Sequence, residues 1–144
     1  MSTEQNKALV RRLIMEGFNK GNERVIDELV APNFVTREES AREVGLEGFK
    51  EMVATFRNAF PDARMTIEDV IAEGNTVITC AYFTGTHRGP LEGIPPTGKP
   101  VKVKDVDLFR IENGKVVESS TTFDRLGMLR QLGVISVPEE GEEG

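Results

Sequence analysis

The sequence predicts an α+β fold: a strongly curved antiparallel sheet that forms a cone, with helices packed on its concave side. Three observations predict it. Helical periodicity dominates residues 3–60, strand alternation dominates residues 64–123, and one short helical pattern follows them. Helices gathered ahead of a run of hairpin-connected strands argue against a parallel α/β sheet, in which the two types would alternate. At 144 residues the chain is long enough for one core and too short for two. Residues 1–137 therefore read as a single domain, and the tail 138–144, PEEGEEG, is acidic, lacks aromatics and is expected to be disordered.

From Thr3 to Asn19, Val10, Leu13, Ile14, Gly17 and Phe18 recur at helical spacing and make one apolar stripe. Asn19-Lys20-Gly21-Asn22 ends it. Asn22 is placed to cap a second helix that buries Val25, Ile26, Leu29 and Val30 and stops at Pro32. Phe34-Val35-Thr36 reads as a short strand, and the charged stretch from Arg37 to Glu43 as a solvated loop or mobile lid. Gly45 to Phe60 is the clearest helix, with Phe49, Met52, Val53, Phe56 and Phe60 on its inner face. Arg64–Ala72 and Thr76–His87 form a hairpin about Glu73-Gly74-Asn75. Gly89–Pro100, GPLEGIPPTGKP, has no periodicity and reads as a loop. A second hairpin runs from Val101 to Phe123, where Asn113-Gly114 supplies the positive-φ residues a tight turn needs. Asp124 then caps a last helix that docks through Leu126, Leu129 and Leu132.

Net charge is −6, the pI is near 4.9 and no basic run is present, so neither nucleic acid nor an anionic membrane surface is an expected partner. No stretch approaches the ~20 apolar residues of a membrane span, and the start, MSTEQNKALVRR, is polar, so a cytoplasmic location is expected. One cysteine, Cys80, and one histidine, His87, exclude an internal disulfide and leave too few soft ligands for zinc. No metal and no cofactor is expected.

Chemistry is concentrated in the second hairpin, where Asp105 and Asp107 interrupt an apolar, β-branched strand. Residues two apart share a strand face, so both carboxyls point the same way. Facing inward, the pair is too costly to bury without a purpose. Desolvation and mutual repulsion would then raise a pKa, leaving one member as acid and the other as base. Facing outward they are surface charges, and Asp105, flanked by Lys102 and Lys104, would lie in solvent. Register decides. A two-residue Asn-Gly turn puts Asp107 opposite Ser120, whereas a three-residue loop with Gly114 in a bulge puts it on the face of Ser119 and Thr121. His87, beside the Gly/Pro loop, is either a pocket-mouth residue or a structural hydrogen-bonding one. Cys80 and Tyr82 alternate against Thr79, Ala81 and Phe83 and point out of the cone, so no Cys-His nucleophile is expected.

Longer runs carry a resemblance. Leu9-Val10-Arg11-Arg12, Phe18-Asn19-Lys20-Gly21-Asn22, Leu29-Val30-Ala31-Pro32-Asn33-Phe34, Phe60-Pro61-Asp62, Thr84-Gly85-Thr86-His87, Gly93-Ile94-Pro95-Pro96-Thr97-Gly98-Lys99, Phe109-Arg110-Ile111 and Leu126-Gly127-Met128-Leu129 are similar to the SnoaL-like polyketide cyclases. These belong to the nuclear transport factor 2-like superfamily, whose cone-shaped α+β barrel holds a pocket inside. The resemblance implies that Val103, Asp105, Asp107 and Phe109, with Val117, Ser119, Thr121 and Phe123, face that pocket. In the family a histidine on the penultimate strand and an aspartate on the last do acid-base work, and these positions hold Asp107 and Thr121. Ketosteroid isomerases resemble the chain at Val106-Asp107-Leu108-Phe109-Arg110, where their aspartate stays protonated and donates to the developing oxyanion. Their general base falls near Glu38 and their oxyanion tyrosine at Ile14.

The catalytic candidates are thus Asp107, Asp105 and Glu38. The implied substrate-binding residues are Ile14, Phe18, Val53, Phe56, Thr79, Ala81, Phe83, His87, Phe109, Ser119, Thr121 and Phe123. Ile14, Ala81 and Ser119 stand where relatives commonly carry tyrosine, tryptophan and histidine, which implies a reshaped pocket. Two readings stay open. One is a cofactor-independent acid-base enzyme acting on an apolar, enolisable polyketide- or steroid-like compound. The other is a non-catalytic small-molecule binder or structural dimer that has lost the family's chemistry. On either, the apolar outer positions Ile78, Val106, Leu108 and Val116 predict a homodimer.

Overall fold

The computed structural model describes residues 2–37 and 42–135. Helix α1 (Thr3–Arg12) starts from a reciprocal cap: the Gln5 amide donates to the Ser2 hydroxyl and the Ser2 amide to the Gln5 side chain. The helix then widens into a π-helical segment, Leu13–Phe18. Gly17 lets this wide turn close on α2 (Glu23–Leu29), since a Cβ there would stand 3.0 Å from Ile26. Asn22 caps α2, its side chain accepting from the amides of Arg24 and Val25.

Strand β1 (Val30–Arg37) is longer than the expected Phe34–Thr36. Helix α2 ends before Pro32, which lies in the gap where β1 leaves its ladder with the last strand, so its missing N–H breaks no pairing. A second strand, β2 (Glu43–Gly45), pairs with β1 in a stretch the sequence presents as loop. Then follow α3 (Leu46–Ala59), β3 (Arg64–Glu73), β4 (Thr76–Thr86), β5 (Pro100–Glu112), β6 (Lys115–Phe123) and α4 (Arg125–Gln131). The expected tail 138–144 lies outside the described residues. The curved sheet has the order β2-β1-β6-β5-β4-β3. Its ladders are antiparallel except β1 with β6, which is parallel.

Two bulges reverse the alternation and add to the bend. In β3 the register shifts between Ile67 and Asp69, so Met65 and Ile67 pack inward before it and Val70 and Ala72 after it, leaving Ile71 59% exposed. In β6, Asn113 and Gly114 (φ 51° and 74°) make the two-residue turn, with Glu112 opposite Lys115. Val117 is then an extra residue, and Asp107 lands opposite Thr121. The hairpin combines the short turn with the register of the longer loop. It also corrects two positions: Val116, expected on the outer face, is in the core, and Val117, expected inside, is only half-buried.

The core has two parts. Val10, Leu13, Ile26, Val77, Phe109 and Val116 pack beneath the N-terminal helices. Phe60, Phe83, Leu91, Val103, Met128 and Leu132 fill the other end. Phe83 is the hub of the aromatic packing, with the rings of Phe18, Phe56, Phe60 and Phe123 centred 5.1–6.1 Å away. Gly85 admits Phe60, whose Cβ would lie 2.8 Å from any Cβ placed on that strand position. Asp124 caps α4 through the Gly127 amide, and the helix docks through Met128, the expected Leu129, which is partly buried, and Leu132 at its C-cap, whereas Leu126 is exposed.

Candidate functional site

A cavity of about 720 Å³ lies between the inner face of the sheet and the helices, within the range of small-molecule sites. The π-helical segment contributes Leu13, Ile14 and Phe18, α3 contributes Phe49, Met52, Val53 and Phe56, and the sheet contributes Met65, Phe83, Phe109 and Phe123. The buried polar lining is Thr36, Asp105, Asp107 and Ser119, with half-buried Thr121 beside them. Exposed charges line it too: Arg37, Arg42, Glu51, Glu92 and Arg125. Arg37 is tied to Glu118 (2.9 Å) and Glu43 (3.3 Å), and Arg125 of α4 is paired with Glu92 of the Gly/Pro loop.

Asp105 and Asp107 are 2% and 8% exposed, while Lys102 and Lys104, one residue out of phase, stand exposed on the other face. Asp105 sits opposite Ala81 and Phe123, and Asp107 opposite Thr79 and Thr121. Burial pushes the Asp107 carboxyl above the usual carboxylate range, and hydrogen bonds with Asp105 and Thr121 offset only part of the rise. Ionised carboxylates are acceptors only, so a hydrogen bond between two of them requires a proton on one. A pair so placed can share one proton between two carboxyls. Asp107 Oδ1 is buried and has no hydrogen-bond partner among the described residues.

A second polar station lies across the next ladder. The Ser119 hydroxyl donates to Thr36 Oγ1 at 2.7 Å, both side chains being buried, which leaves the Thr36 O–H to donate elsewhere. Thr36 is not among the sequence-derived candidates. Its signal is the parallel pairing of Thr36 with Ser119, which joins residues too far apart in sequence to leave a local pattern.

Eleven of the fifteen candidate residues meet at the cavity: Asp105, Asp107, Ile14, Phe18, Val53, Phe56, Phe83, Phe109, Ser119, Thr121 and Phe123. Thr79, Ala81 and His87, expected in the lining, lie behind it. Thr79 and Ala81 are short, fully enclosed side chains on the strand that α1 crosses. His87 is folded into the far end of the core, its ring 5.4 Å from that of Phe60. Glu38 lies outside the described residues. Cys80 and Tyr82 face outward, with the Lys102 ammonium 4.6 Å over the Tyr82 ring. Among the described residues no three His, Cys, Asp or Glu side chains converge as a metal-ligand set. No described helix is long and apolar enough to cross a membrane.

The model of the SnoaL-like polyketide cyclase family matches residues 8–132. Nogalonic acid methyl ester cyclase of Streptomyces nogalater is 30% identical over 131 residues, 89% of this chain and 98% of its own. Aklanonic acid methyl ester cyclase of Streptomyces sp. strain C5 is 31% identical over 132 residues, 87% of this chain and 80% of its own. Among solved structures, one assigned as a SnoaL-like polyketide cyclase from Jannaschia sp. CCS1 superposes with a TM-score of 0.86 at 32% identity, covering 93% of this chain and 95% of that one. AclR from Streptomyces galilaeus, assigned as a hydroxylase, superposes with a TM-score of 0.87 at 26% identity over 97% and 88%. One cone thus carries more than one assigned reaction, and the side chains must argue the chemistry.

Proposed function

Because the chain belongs to the SnoaL-like polyketide cyclase family, we propose that it is a cofactor-independent acid-base enzyme acting on an apolar, enolisable polyketide- or steroid-like ring compound. The observation that carries this reading is the Asp105–Asp107 pair, two hydrogen-bonded carboxyls at one end of a largely apolar cavity. Enolisation needs a base for the proton next to a carbonyl and a donor for the oxygen that gains charge. The ionised member takes the carbon-bound proton, the C–H electrons form the enol double bond, and the protonated member donates to the oxygen. The enol carbon is then ready to attack a second carbonyl or to be reprotonated elsewhere. Phenylalanine walls keep the local dielectric low and strengthen both interactions. Ser119, Thr121 and Thr36 orient the substrate's remaining oxygens.

Asp107→Asn keeps the shape and removes the proton. With aklanonic or nogalonic acid methyl ester as trial substrates, turnover is expected to fall at least ~100-fold. Comparable turnover in the variant removes Asp107 from the mechanism. One observation favours a non-catalytic binder instead: Thr121 stands where the family's last-strand aspartate falls. That reading expects saturable binding of the same esters with no product.

The outer face supplies a docking surface for a second copy of the chain, since half-buried Ile78, Val106 and Leu108 and exposed Ile71 make it apolar. Sedimentation at micromolar concentration is expected to give the mass of a dimer, and a monomer contradicts it.

A further inference from the structure

Two buried polar atoms without partners belong to residues that are direct neighbours in one ladder. Thr79 on β4 pairs with Asp107 on β5, and neither Thr79 Oγ1 nor Asp107 Oδ1 has a hydrogen-bond partner among the described residues. Both side chains point to the inner face, and Cβ atoms of directly opposed residues stand ~5 Å apart. Thr79 is fully enclosed and absent from the cavity wall, so a bound molecule does not reach it. An enclosed hydroxyl that donates to nothing costs stability, and valine, of the same shape, would avoid the cost. A donor held idle in the resting state is explained if the weak acceptor beside it, the oxygen of a neutral carboxyl, gains charge during the reaction.

We propose that Thr79 is a positioning residue for the carboxyl pair: its hydroxyl stands idle while Asp107 holds the proton and donates to Asp107 Oδ1 once that proton has passed to the substrate. This rests on the reading that Asp107 changes protonation in turnover. The Asp107 O–H bond breaks, its electrons stay on the carboxylate, and the proton goes to the substrate oxygen. Thr79 rotates about χ1, gives no proton up, and releases Oδ1 when the carboxyl is reprotonated. A hydrogen bond to a charged acceptor is about twice as strong as one to a neutral acceptor, so the contact favours the spent state selectively.

The other hydroxyl directly opposite Asp107 is already engaged. Thr121, on the opposite ladder, is already hydrogen-bonded to Asp107. The titratable and charged groups lining the same cavity are Asp105 on β5 itself, Glu51 of α3, Arg37 of β1, Arg42, Glu92 and Arg125 of α4. The last five are exposed, and Arg37 and Arg125 are committed to ion pairs. Strands β4 and β6 present only hydroxyl and apolar side chains beside the pair.

The test uses Thr79→Val, Thr79→Ala and Thr79→Ser in the full chain. The Asp107 carboxyl is followed by carbon-13 NMR against pH, its signal identified by its loss in Asp107→Asn, alongside the pH profile of kcat/KM. Thr79→Val and Thr79→Ala are expected to raise the Asp107 midpoint by about one pH unit, the worth of one hydrogen bond to a charge. The matching limb of the profile should move with it and turnover fall ~10-fold. Thr79→Ser, which keeps the hydroxyl, is expected to restore both. An unmoved midpoint in Val and Ala, or Ser behaving as Val, overturns the inference. Full turnover in Asp107→Asn would overturn the acid-base reading instead, and the NMR midpoint would still decide whether Thr79 serves the carboxylate.

Discussion

His87, just past the end of β4, and Asp107, on the inner face of β5, are both buried titratable side chains, and their surroundings differ completely. At His87 the Thr97 amide donates to Nδ1 at 3.1 Å and the Thr97 hydroxyl lies 3.0 Å from the same atom, so Nδ1 is an acceptor and the ring proton sits on Nε2. The His87 amide donates to Lys99 O, the Gly98 amide donates to His87 O, and the amides of Arg88 and Gly89 donate to Ala59 O. Histidine here pins the Gly/Pro loop to the end of β4. Both residues carry one buried atom without a partner among the described residues, Nε2 in His87 and Oδ1 in Asp107. His87 stands among packed rings, whereas Asp107 lines a cavity of about 720 Å³. Burial of a polar group does not by itself mark a site; an unspent atom beside open volume does.

The contrast between a packed end and an open end can be broken most directly by truncation. Phe60 is fully enclosed and packs on Phe56, Phe83 and His87 with centroid distances of 6.3, 5.1 and 5.4 Å. Phe60→Ala is expected to cost ~3–5 kcal/mol in urea unfolding, the usual loss on truncating an enclosed phenylalanine. Phe49, half-buried on the cavity wall, already borders empty volume, and its truncation should cost less than half as much. Equal losses at the two positions would mean that the ends are packed alike.

Which parts of this contrast the sequence discloses follows from how local their causes are. The helices, the two hairpins and the caps at Asn22 and Asp124 each arise within a few residues, and periodicity and capping chemistry reveal them. The shared face of Asp105 and Asp107 is equally local. Their inward direction is not, because Val117 inserts one residue into a hairpin whose turn alone implies the other register. The resemblance to known cyclases implies that parity, which the hairpin's own residues leave open. The π-helical turn at Leu13–Phe18 shifts hydrogen bonds by one residue and barely disturbs a pattern only six residues long. Strand β2 is just Glu43-Val44-Gly45, with no alternation to detect, and exists because β1 offers it an edge. Thr36 reaches the cavity through its long-range pairing with β6, and Thr79 and Ala81 leave the lining because they are enclosed on the strand that α1 crosses. Such facts belong to packing, and no window of sequence contains them.

A smaller effect sharpens the contrast from the open end. The folded-state pKa of Asp107 lies above its ordinary value of 3.8, chiefly because burial disfavours the charged form. A raised carboxyl contributes stability that is fully present below the unfolded pKa and is lost as pH rises through the folded one. The wild-type chain should therefore lose stability across a window that opens near pH 3.8 and closes at the raised value. Asp107→Asn has no such titration and still offers its amide to Asp105. Its advantage over the wild type should be absent at the acid end of the window, grow with pH and level off once the pH has passed the raised value. Thermal melts of both proteins between pH 3.5 and pH 8, roughly the range over which buried carboxyls titrate, check this. The variant expected to lose most of its turnover is thus also expected to be the more stable protein at neutral pH. A variant less stable at every pH would show that the Asp107 carboxyl is held for structure, as His87 is.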